Sequence, residues 1–307
     1  MSMTNNPVIG IVGAGLMGHG IAQRFLAAGL KVNLYDPSEA ALANAKEQIP
    51  KIFDILSQQD TSGELLSCTT SMAEAVSHAD WVIEAGPENK DIKRDIFSEL
   101  CTFAPEHCIL ATNTSAIPIG VIAEGQNRPE RIIGAHFWNP PHLVDLVEVV
   151  QSQFTTFDVV QRTMSLFSQV GLKPVHVKKD IPGFIGNRLQ HAMKREAIAL
   201  VSQGVCDADT IDEVVKHGFG KRLAVLGPLE QSDLVGLDLT LSILSTIYPH
   251  LDNSKTPQGL LQEKVARGKT GMKAGEGFKT WTEATAEQVR QRVQKHLIQT
   301  QLDKNIQ

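Results

Sequence analysis

A glycine-rich segment near the start of the chain constrains its fold more than any other feature. Residues 13–18 read Gly-Ala-Gly-Leu-Met-Gly, follow the apolar run 8–12 directly and open a helical pattern. In such a unit the first glycine permits a tight turn, the second lets backbone amides approach a pyrophosphate, and the third lets helix and strand pack closely. The segment predicts a strand, a phosphate-binding turn and a helix, although the glycine pattern alone fits any glycine-rich turn.

An acidic residue at the end of the next predicted strand refines this interpretation. Asp36 stands eighteen residues after Gly18, where a carboxylate can accept hydrogen bonds from an adenosine ribose. The same carboxylate would repel a 2′-phosphate, and no arginine follows in residues 37–39, so NAD is favoured over NADP. Alternatively, Asp36 only caps the helix that starts near Ser38. The predicted cofactor contacts in this unit are Gly13, Gly15, Leu16, Met17, Gly18 and Asp36.

The order of strand-like and helix-like segments predicts the fold class. From residue 7 to about 136, apolar runs alternate with helix-length segments, and residues 143–150 and 174–177 predict two further strands. This pattern is typical of a parallel sheet covered on both faces. From Asp180 onward only helical periodicity remains, with predicted helices at 184–201, 209–216, 229–247, 259–266 and 283–302. We therefore predict an α/β chain, with a Rossmann-type doubly wound sheet domain in residues 1–181 and a smaller all-α domain in residues 182–307.

Charge and cysteine content exclude several classes of protein. The 307 residues carry 29 basic and 34 acidic side chains, and the basic doublets are scattered, so no concentrated basic surface for nucleic acid is expected. The apolar stretch 8–22 contains five glycines and is shorter than the ~20 residues of a spanning helix, so no membrane partner is expected. The four cysteines include no C-x-x-C pair, which predicts neither a disulfide framework nor a zinc site and favours a cytoplasmic location.

Two residues on neighbouring predicted strands suggest acid–base chemistry. His136 lies at the end of a strand, where ligands bind in open α/β sheets. Glu148 lies on an apolar stripe of the next strand, where an unpaired carboxylate would be costly. A histidine is a suitable partner, because the carboxylate can fix its tautomer and stabilise the imidazolium. Any one of the ten histidines could equally be structural, and the absence of H-x-x-x-H or a Cys/His cluster predicts no metal site.

Two further polar residues are candidates by their position. Ser115 follows the predicted strand that ends near Thr112, although it could simply cap a helix near Ile117. Asn187 lies early in the helix after Pro182, where such a residue is also commonly a surface or capping residue.

Six ordered motifs make the chain resemble the L-3-hydroxyacyl-CoA dehydrogenases, and 3-hydroxybutyryl-CoA dehydrogenases in particular. These motifs cover residues 13–18, 84–89, 113–115 with 136–140, 146–149, 182–188, and 227–238 with 269–278. The resemblance implies that His136 is the catalytic base, that Glu148 orients it, and that Ser115 and Asn187 hold the substrate oxygen and help to place the base. It implies further cofactor contacts at Ala85 and, along the nicotinamide end, at Glu88, Lys93 and Asn139.

The resemblance also implies a reaction and an assembly. His136 would remove the hydroxyl proton of an L-3-hydroxyacyl-CoA while hydride passes to NAD, giving the 3-ketoacyl-CoA, as in fatty acid metabolism. The helical domain would form a homodimer contact.

Other features resemble relatives that act on free acids and small alcohols. Between Lys51 and Lys90 there is no lysine or arginine to support the phosphates of coenzyme A, and Asp145 stands near where many acyl-CoA members carry lysine. The gulonate dehydrogenase (lambda-crystallin), carnitine dehydrogenase and pyridine-aldehyde dehydrogenase branches are therefore an alternative with the same chemistry. A non-enzymatic NAD-binding protein is disfavoured by the complete catalytic set. A 3-hydroxyisobutyrate or 6-phosphogluconate type of dehydrogenase is disfavoured because Asn187-Arg188 stands where those enzymes carry a catalytic lysine.

Overall fold

The computed structural model describes residues 6–304, which divide into two compact units. The first comprises residues up to Asn187 together with the stretch from Gln294, and the second is Arg188–Val293. This division assigns residues 182–187 and the last turns of the final helix to the first unit, whereas the sequence pattern predicts a boundary at residue 181. No helix among residues 6–304 is long and apolar enough to cross a membrane.

An eight-stranded sheet forms the centre of the first unit. Its strands are β1 (Ile9–Val12), β2 (Val32–Tyr35), β3 (Leu66–Thr69), β4 (Trp81–Glu84), β5 (Ile109–Thr112), β6 (Ile132–Phe137), β7 (Leu146–Val150) and β8 (Lys173–Val177). The spatial order is β3-β2-β1-β4-β5-β6-β7-β8. All neighbours are parallel except β6 and β7, which pair antiparallel. The predicted Rossmann-type sheet is confirmed, with two added strands at one side.

Helices cover both faces of this sheet because its central strands β1, β4, β5 and β6 are buried on both sides. They are α1 (Leu16–Ala27), α2 (Glu39–Ile55), α3 (Ser62–Leu65), α4 (Met72–Val76), α5 (Lys90–Phe103), α6 (Ile119–Ala123) and α7 (Phe157–Gln169). One core cluster contains Phe25, Phe53 and Phe167, and a second contains Phe97 and Phe184, all fully buried. Each such ring contributes roughly 1.5–3 kcal/mol by leaving water.

Three details of the first unit differ from the sequence-based expectation. β3, α3 and α4 are not predicted, because each is four or five residues long and none contains the continuous apolar run that marks the equally short β1, β4 and β5. The strand predicted at 143–150 begins only at Leu146, since the amides of Leu143 and Val144 both donate to the Pro140 carbonyl and form a turn. The helix expected near Ile117 begins at Ile119, after Pro118.

The second unit is helical, as predicted. Its helices are α8 (Gly186–Ser202, which starts in the first unit), α9 (Ala208–His217), α10 (Pro228–Val235), α11 (Leu237–Ile247), α12 (Gly259–Ala266) and α13 (Glu283–Lys304, which ends in the first unit). The single helix predicted at 229–247 is wrong, because Gly236 adopts φ +97° and separates two helices. The described residues of α9, α10, α11 and α12 include no buried side chain.

The connection between β6 and β7 packs against α1. A Cβ atom on Gly20 would lie 2.7 Å from Pro141 and 3.3 Å from the His142 ring, so only glycine allows this approach. Burial, together with the nearby His19 and Arg24, lowers the pKa of His142 from 6.5 to about 4. His142 is therefore neutral in the folded chain at pH values where it is already charged in the unfolded chain.

We expect this histidine to make stability fall in mild acid. Between pH 6.5 and about 4 the unfolded chain binds the proton and the folded chain does not, so the contribution is complete above pH 6.5 and is lost as the pH falls toward 4. The loss amounts to at most about 3 kcal/mol. Melting temperatures of wild type and His142→Asn over this range should show a flatter pH dependence in the variant. The exposed His78, changed to Asn, is the control, and parallel curves for wild type and His142→Asn would contradict the expectation.

Candidate active site

Parallel strands bring residues that are distant in sequence to one edge of the sheet. β1, β4, β5 and β6 all run toward the same edge. There β1 continues into the glycine turn, Glu84 ends β4, Asn113 follows β5 and His136 lies near the end of β6. Ligands of open α/β sheets bind outside the carboxyl ends of the strands, so this edge is the candidate site.

The glycine turn has the backbone geometry that its motif predicts. Gly13 adopts φ +103°, and a Cβ there would lie 2.8 Å from the Ala85 carbonyl oxygen. A Cβ on Gly18 would collide with the Gly13 carbonyl, whereas Gly15 has open space around it. Any side chain at Gly13 or Gly18 would therefore force the turn apart.

The first turn of α1 suits an anion. No side chain caps the Gly15 end of α1, and its first turn has no acidic residue. Free backbone amides and the positive end of the helix dipole thus face outward from the turn. The chain fits the diphosphate of a dinucleotide at this position. Leu16 is exposed and Met17 packs partly against the core.

Asp36 is joined to the glycine turn by its side chain. One carboxylate oxygen accepts from the Ala14 amide at 2.8 Å, and the other accepts from the Ser38 amide at 2.9 Å. The cap of α2 is Ser38, whose hydroxyl accepts from the Ala41 amide. Asp36 therefore lies beside the turn and is not the helix cap.

A buried ion pair underlies the neighbouring loop. The Lys93 ammonium lies 2.7 and 2.9 Å from the two carboxylate oxygens of Glu84, and the two side chains are 1% and 0% exposed. Glu84 also accepts from the Thr112 hydroxyl at 2.7 Å and from the Gly86 amide at 2.7 Å. Lys93 thus binds Glu84 in this structure, and its predicted contact with a cofactor remains a prediction.

Glu88 holds the loop that carries Ser115. Its Oε1 accepts from the Thr114 hydroxyl at 2.7 Å and from the amides of Ser115 and Ala116 at 3.0 and 3.1 Å. The Lys93 ammonium is 3.7 Å from its other oxygen. The predicted cofactor contact Glu88 is therefore also the residue that fixes the backbone after β5.

His136 and Glu148 face each other in the sheet. They form a direct pair in the antiparallel register of β6 and β7, and His136 Nδ1 lies 2.8 Å from Glu148 Oε2. Their side chains are 6% and 1% exposed. Burial alone would raise the pKa of Glu148, but hydrogen bonds from His136 and from the Gly186 and Ile185 amides hold it below its usual value. The glutamate is thus an ionised partner for the histidine.

The second oxygen of Glu148 binds the start of α8. Oε1 accepts from the amides of Ile185 and Gly186 at 2.9 and 3.0 Å. The next residue, Asn187, donates from its side-chain amide to the Ser115 carbonyl at 2.9 Å. The four predicted catalytic residues therefore form two hydrogen-bonded pairs, His136 with Glu148 and Asn187 with Ser115. Glu148 also accepts hydrogen bonds from the two residues before Asn187.

Several residues of the site were not identified from the sequence. Glu84, Thr112 and Thr114 form the network beneath the loops, and Asn113 accepts from the Phe137 amide at 2.8 Å through its side-chain oxygen. Their sequence signals are their position at or just after the end of a predicted strand and, for Glu84, Asn113 and Thr114, their place in the motifs at 84–89 and 113–115. The predicted contact Asn139 is exposed and precedes Pro140 through a cis peptide bond. Residues 6–304 contain no group of three or more His, Cys, Asp or Glu side chains that could hold a metal ion.

A dinucleotide turn beside a histidine that is held by a carboxylate is the arrangement of an NAD-dependent dehydrogenase acting on hydroxyl groups. Comparison with known proteins assigns this class to a family. The model of the 3-hydroxyacyl-CoA dehydrogenase NAD binding domain matches residues 8–181, and that of the C-terminal domain matches residues 183–281. The chain belongs to the 3-hydroxyacyl-CoA dehydrogenase family, as its sequence motifs predicted.

Relatives within the family carry different names. A probable 3-hydroxybutyryl-CoA dehydrogenase of Bacillus subtilis is 39% identical over 286 residues, covering 90% of this chain and 98% of the relative. A 5-formyl-3-hydroxy-2-methylpyridine 4-carboxylate 5-dehydrogenase of Mesorhizobium japonicum is 37% identical over 282 residues, covering 89% and 90%. A crystal structure of such a pyridine dehydrogenase, described as an NAD+-dependent dismutase, superposes with a TM-score of 0.90 at 34% identity, covering 96% and 97%.

Proposed function

We propose that this chain interconverts a secondary alcohol and its ketone, with NAD as hydride carrier and His136 as the base. The observation that carries the proposal is the buried His136–Glu148 pair, at the same edge of the sheet as the glycine turn. Such a pair suits proton transfer, because the carboxylate binds one ring nitrogen and leaves the other for the substrate.

Each catalytic residue has a distinct task in this proposal. Bound NAD supplies the acceptor for hydride. With Nδ1–H donated to Glu148, His136 Nε2 takes the hydroxyl proton, and Glu148 stabilises the imidazolium that results. Ser115 and Asn187 hold the substrate oxygen, and Glu88 fixes the loop that carries Ser115. In the reverse direction the imidazolium returns its proton to the ketone oxygen.

The proposed cofactor contacts follow the edge of the sheet. The glycine turn (Gly13, Gly15, Leu16, Met17, Gly18) contacts the diphosphate through the amides at the start of α1, while the Gly13 amide donates to the Tyr35 carbonyl at 2.8 Å and shapes the turn. Asp36 binds the adenosine ribose, and Ala85, Glu88, Lys93 and Asn139 lie toward the nicotinamide. The uncapped first turn of α1 and the placement of Asp36 beside it support this assignment.

The leading substrate is an L-3-hydroxyacyl-CoA, the class in the name of the family and of the Bacillus subtilis relative. A second candidate is a small hydroxy acid, alcohol or aldehyde that carries no coenzyme A. The pyridine dehydrogenases, similar over nearly the whole chain, support it. So does the segment 52–89, which offers no lysine or arginine to a phosphate.

A substrate panel tests both candidates. Purified protein is assayed for NADH consumption with acetoacetyl-CoA, and for NAD reduction with carnitine, gulonate, free 3-hydroxybutyrate and the pyridine aldehyde acid. Turnover of acetoacetyl-CoA supports the leading substrate, and turnover only of a free acid, alcohol or aldehyde supports the second. NAD binding without turnover of any compound would contradict the proposed activity on this class of substrates.

We also propose a homodimer that forms through the second unit. α10, α11 and the turn before them expose large apolar side chains that an isolated chain would leave in water: Val225 (84%), Leu229 (79%), Leu234 (73%), Leu237 (63%) and Leu241 (68%). Exposed apolar side chains of this size and number mark an interface, and homo-oligomers commonly use one patch on both subunits.

Charges on this surface should dissociate the dimer. Leu229→Glu combined with Leu241→Glu removes no buried contact within the chain, because both side chains are mostly exposed. Light scattering after size exclusion should then give a mass near 33.5 kDa, whereas wild type gives twice that value. Phe157→Glu, at a residue of the first unit that is 59% exposed, is the control. A wild-type monomer would contradict the proposal.

A reducing, cytoplasmic location fits the cysteines. All four are free thiols, and burial raises the pKa of Cys108 to about 12. A thiol with that pKa is unreactive at neutral pH. Equal activity with and without reductant would agree with this proposal.

A further inference from the structure

A strained segment of the first unit, just before α8, contacts the His136 ring. Gly183 and Phe184 adopt φ +77° and +50°, and Phe184 is one of three non-glycine residues in the described chain with a positive φ. For a bulky side chain this conformation is unfavourable and persists only where the surroundings fix it.

Packing holds Phe184 in this conformation. Its side chain is fully buried in a core cluster with Val12, Ile119 and Val150. Its amide donates to the Ile181 carbonyl at 3.0 Å, and the next two amides donate to Glu148 Oε1. The segment is thus anchored by the core on one side and by the partner of the base on the other.

The Phe184 ring lies against the base itself. Its centroid is 5.6 Å from that of the His136 ring at an interplanar angle of 55°, and the Trp138 ring lies at the same distance at 52°. Gly186 permits this arrangement, because a Cβ there would collide with the Trp138 ring. Two aromatic rings therefore border the imidazole that Glu148 holds at Nδ1.

One hydrogen bond at Nδ1 restricts the plane of an imidazole only loosely, since such a bond tolerates a departure of about 30° from linearity. We propose that Phe184 is a positioning residue: its ring, held by the strained backbone, fixes the plane of His136 and thereby the direction of Nε2. The expected change in kcat rests on the proposed function. The fixed plane of the His136 ring does not.

The kinetic test compares variants of matched size. Phe184→Met keeps most of the side-chain volume but removes the ring, whereas Phe184→Tyr keeps the ring. Phe53→Met is the matched control, because Phe53 is also a fully buried phenylalanine but lies on α2. Phe184→Met should lower kcat roughly 10- to 100-fold, because small misplacements of a catalytic group are costly. Its KM for NAD should stay within about twofold, because the glycine turn is untouched.

The pH profile separates positioning from general destabilisation. In Phe184→Met the ring plane and its hydrogen bond to Glu148 are no longer held in one geometry, so the pH at which kcat/KM is half its maximum should differ from the wild-type value by about half a unit or more. Phe184→Tyr and Phe53→Met should keep the wild-type profile and nearly the wild-type kcat, even where their melting temperatures fall. Equal losses of kcat in Phe184→Met and Phe53→Met, with unchanged profiles, would overturn the proposal. Should Phe184→Met not fold, Phe184→Leu and Phe53→Leu replace the pair.

A second readout needs no turnover. In protein labelled with 15N in its histidine rings, the His136 signals are identified by their loss in His136→Ala. Wild type, Phe184→Tyr and Phe53→Met should show a single fixed tautomer with the proton on Nδ1, and Phe184→Met should show averaged or broadened signals. A wild-type chain without dehydrogenase activity would overturn the proposed function, while identical His136 signals in all variants would overturn the positioning role.

Discussion

His136→Ala should abolish most of the turnover while leaving the fold and the cofactor site intact. Removing a general base costs roughly 10²- to 10⁴-fold in rate, and His136 is the titratable group that Glu148 holds at the carboxyl edge of the sheet. The expected loss is in kcat and equally in kcat/KM, because the proton is transferred only in the transition state. Stopped assays over a wide enzyme concentration range would measure it.

Binding measurements separate this loss from damage to the site. NAD affinity of His136→Ala, measured by calorimetry, should remain near that of wild type, because the glycine turn follows β1 and Asp36 follows β2, whereas His136 is on β6. The exposed His78, changed to Ala, should retain full activity. A His136→Ala variant with wild-type turnover would show that another residue is the base.

Glu148→Gln should reduce turnover by a similar factor for a different reason. The amide keeps an oxygen for the Ile185 and Gly186 amides but loses the negative charge that stabilises the imidazolium. It can also present its NH2 group to His136 Nδ1, which would favour the wrong tautomer. Loss of such a carboxylate costs roughly 10²- to 10⁴-fold in kcat.

The double variant tests whether the two residues act together. When residues form one catalytic unit their effects do not add, so His136→Ala with Glu148→Gln should be no slower than the slower single variant. Glu106→Gln, at a side chain that is 89% exposed, should behave as wild type. Fully additive losses would contradict a catalytic pair.

The parts of the fold that follow from local chemistry could be predicted from the sequence. The glycine turn, the long helices and the buried strands β1, β4, β5 and β6 each have a pattern of their own. The register that sets His136 opposite Glu148 has no such local pattern, because twelve residues and a turn separate them. Strand position and motif resemblance both singled out these two residues, but their distance follows only from the tertiary pairing.

The missed parts of the site depend on long-range contacts. Lys93 was singled out as a cofactor contact, yet its closest partner is Glu84, nine residues earlier and at the end of another element. Nothing in the composition of α5 indicates that Lys93 points into the core. Likewise the break at Gly236 cannot be distinguished by pattern alone from a glycine tolerated within a longer helix.

The reversal of chain direction between β6 and β7 restricts how this chain can be re-engineered. Because β7 runs antiparallel to β6, residues directly opposite each other share a face, and the side chains of β7 alternate between the two faces. A slip of one residue would set Val147 or Val149 against His136 and turn the carboxylate of Glu148 to the other side of the sheet. A loop from a relative can therefore replace the segment between Phe137 and Leu146 only if it preserves the pairing of β6 with β7. This condition holds for any loop, including one chosen to change the substrate.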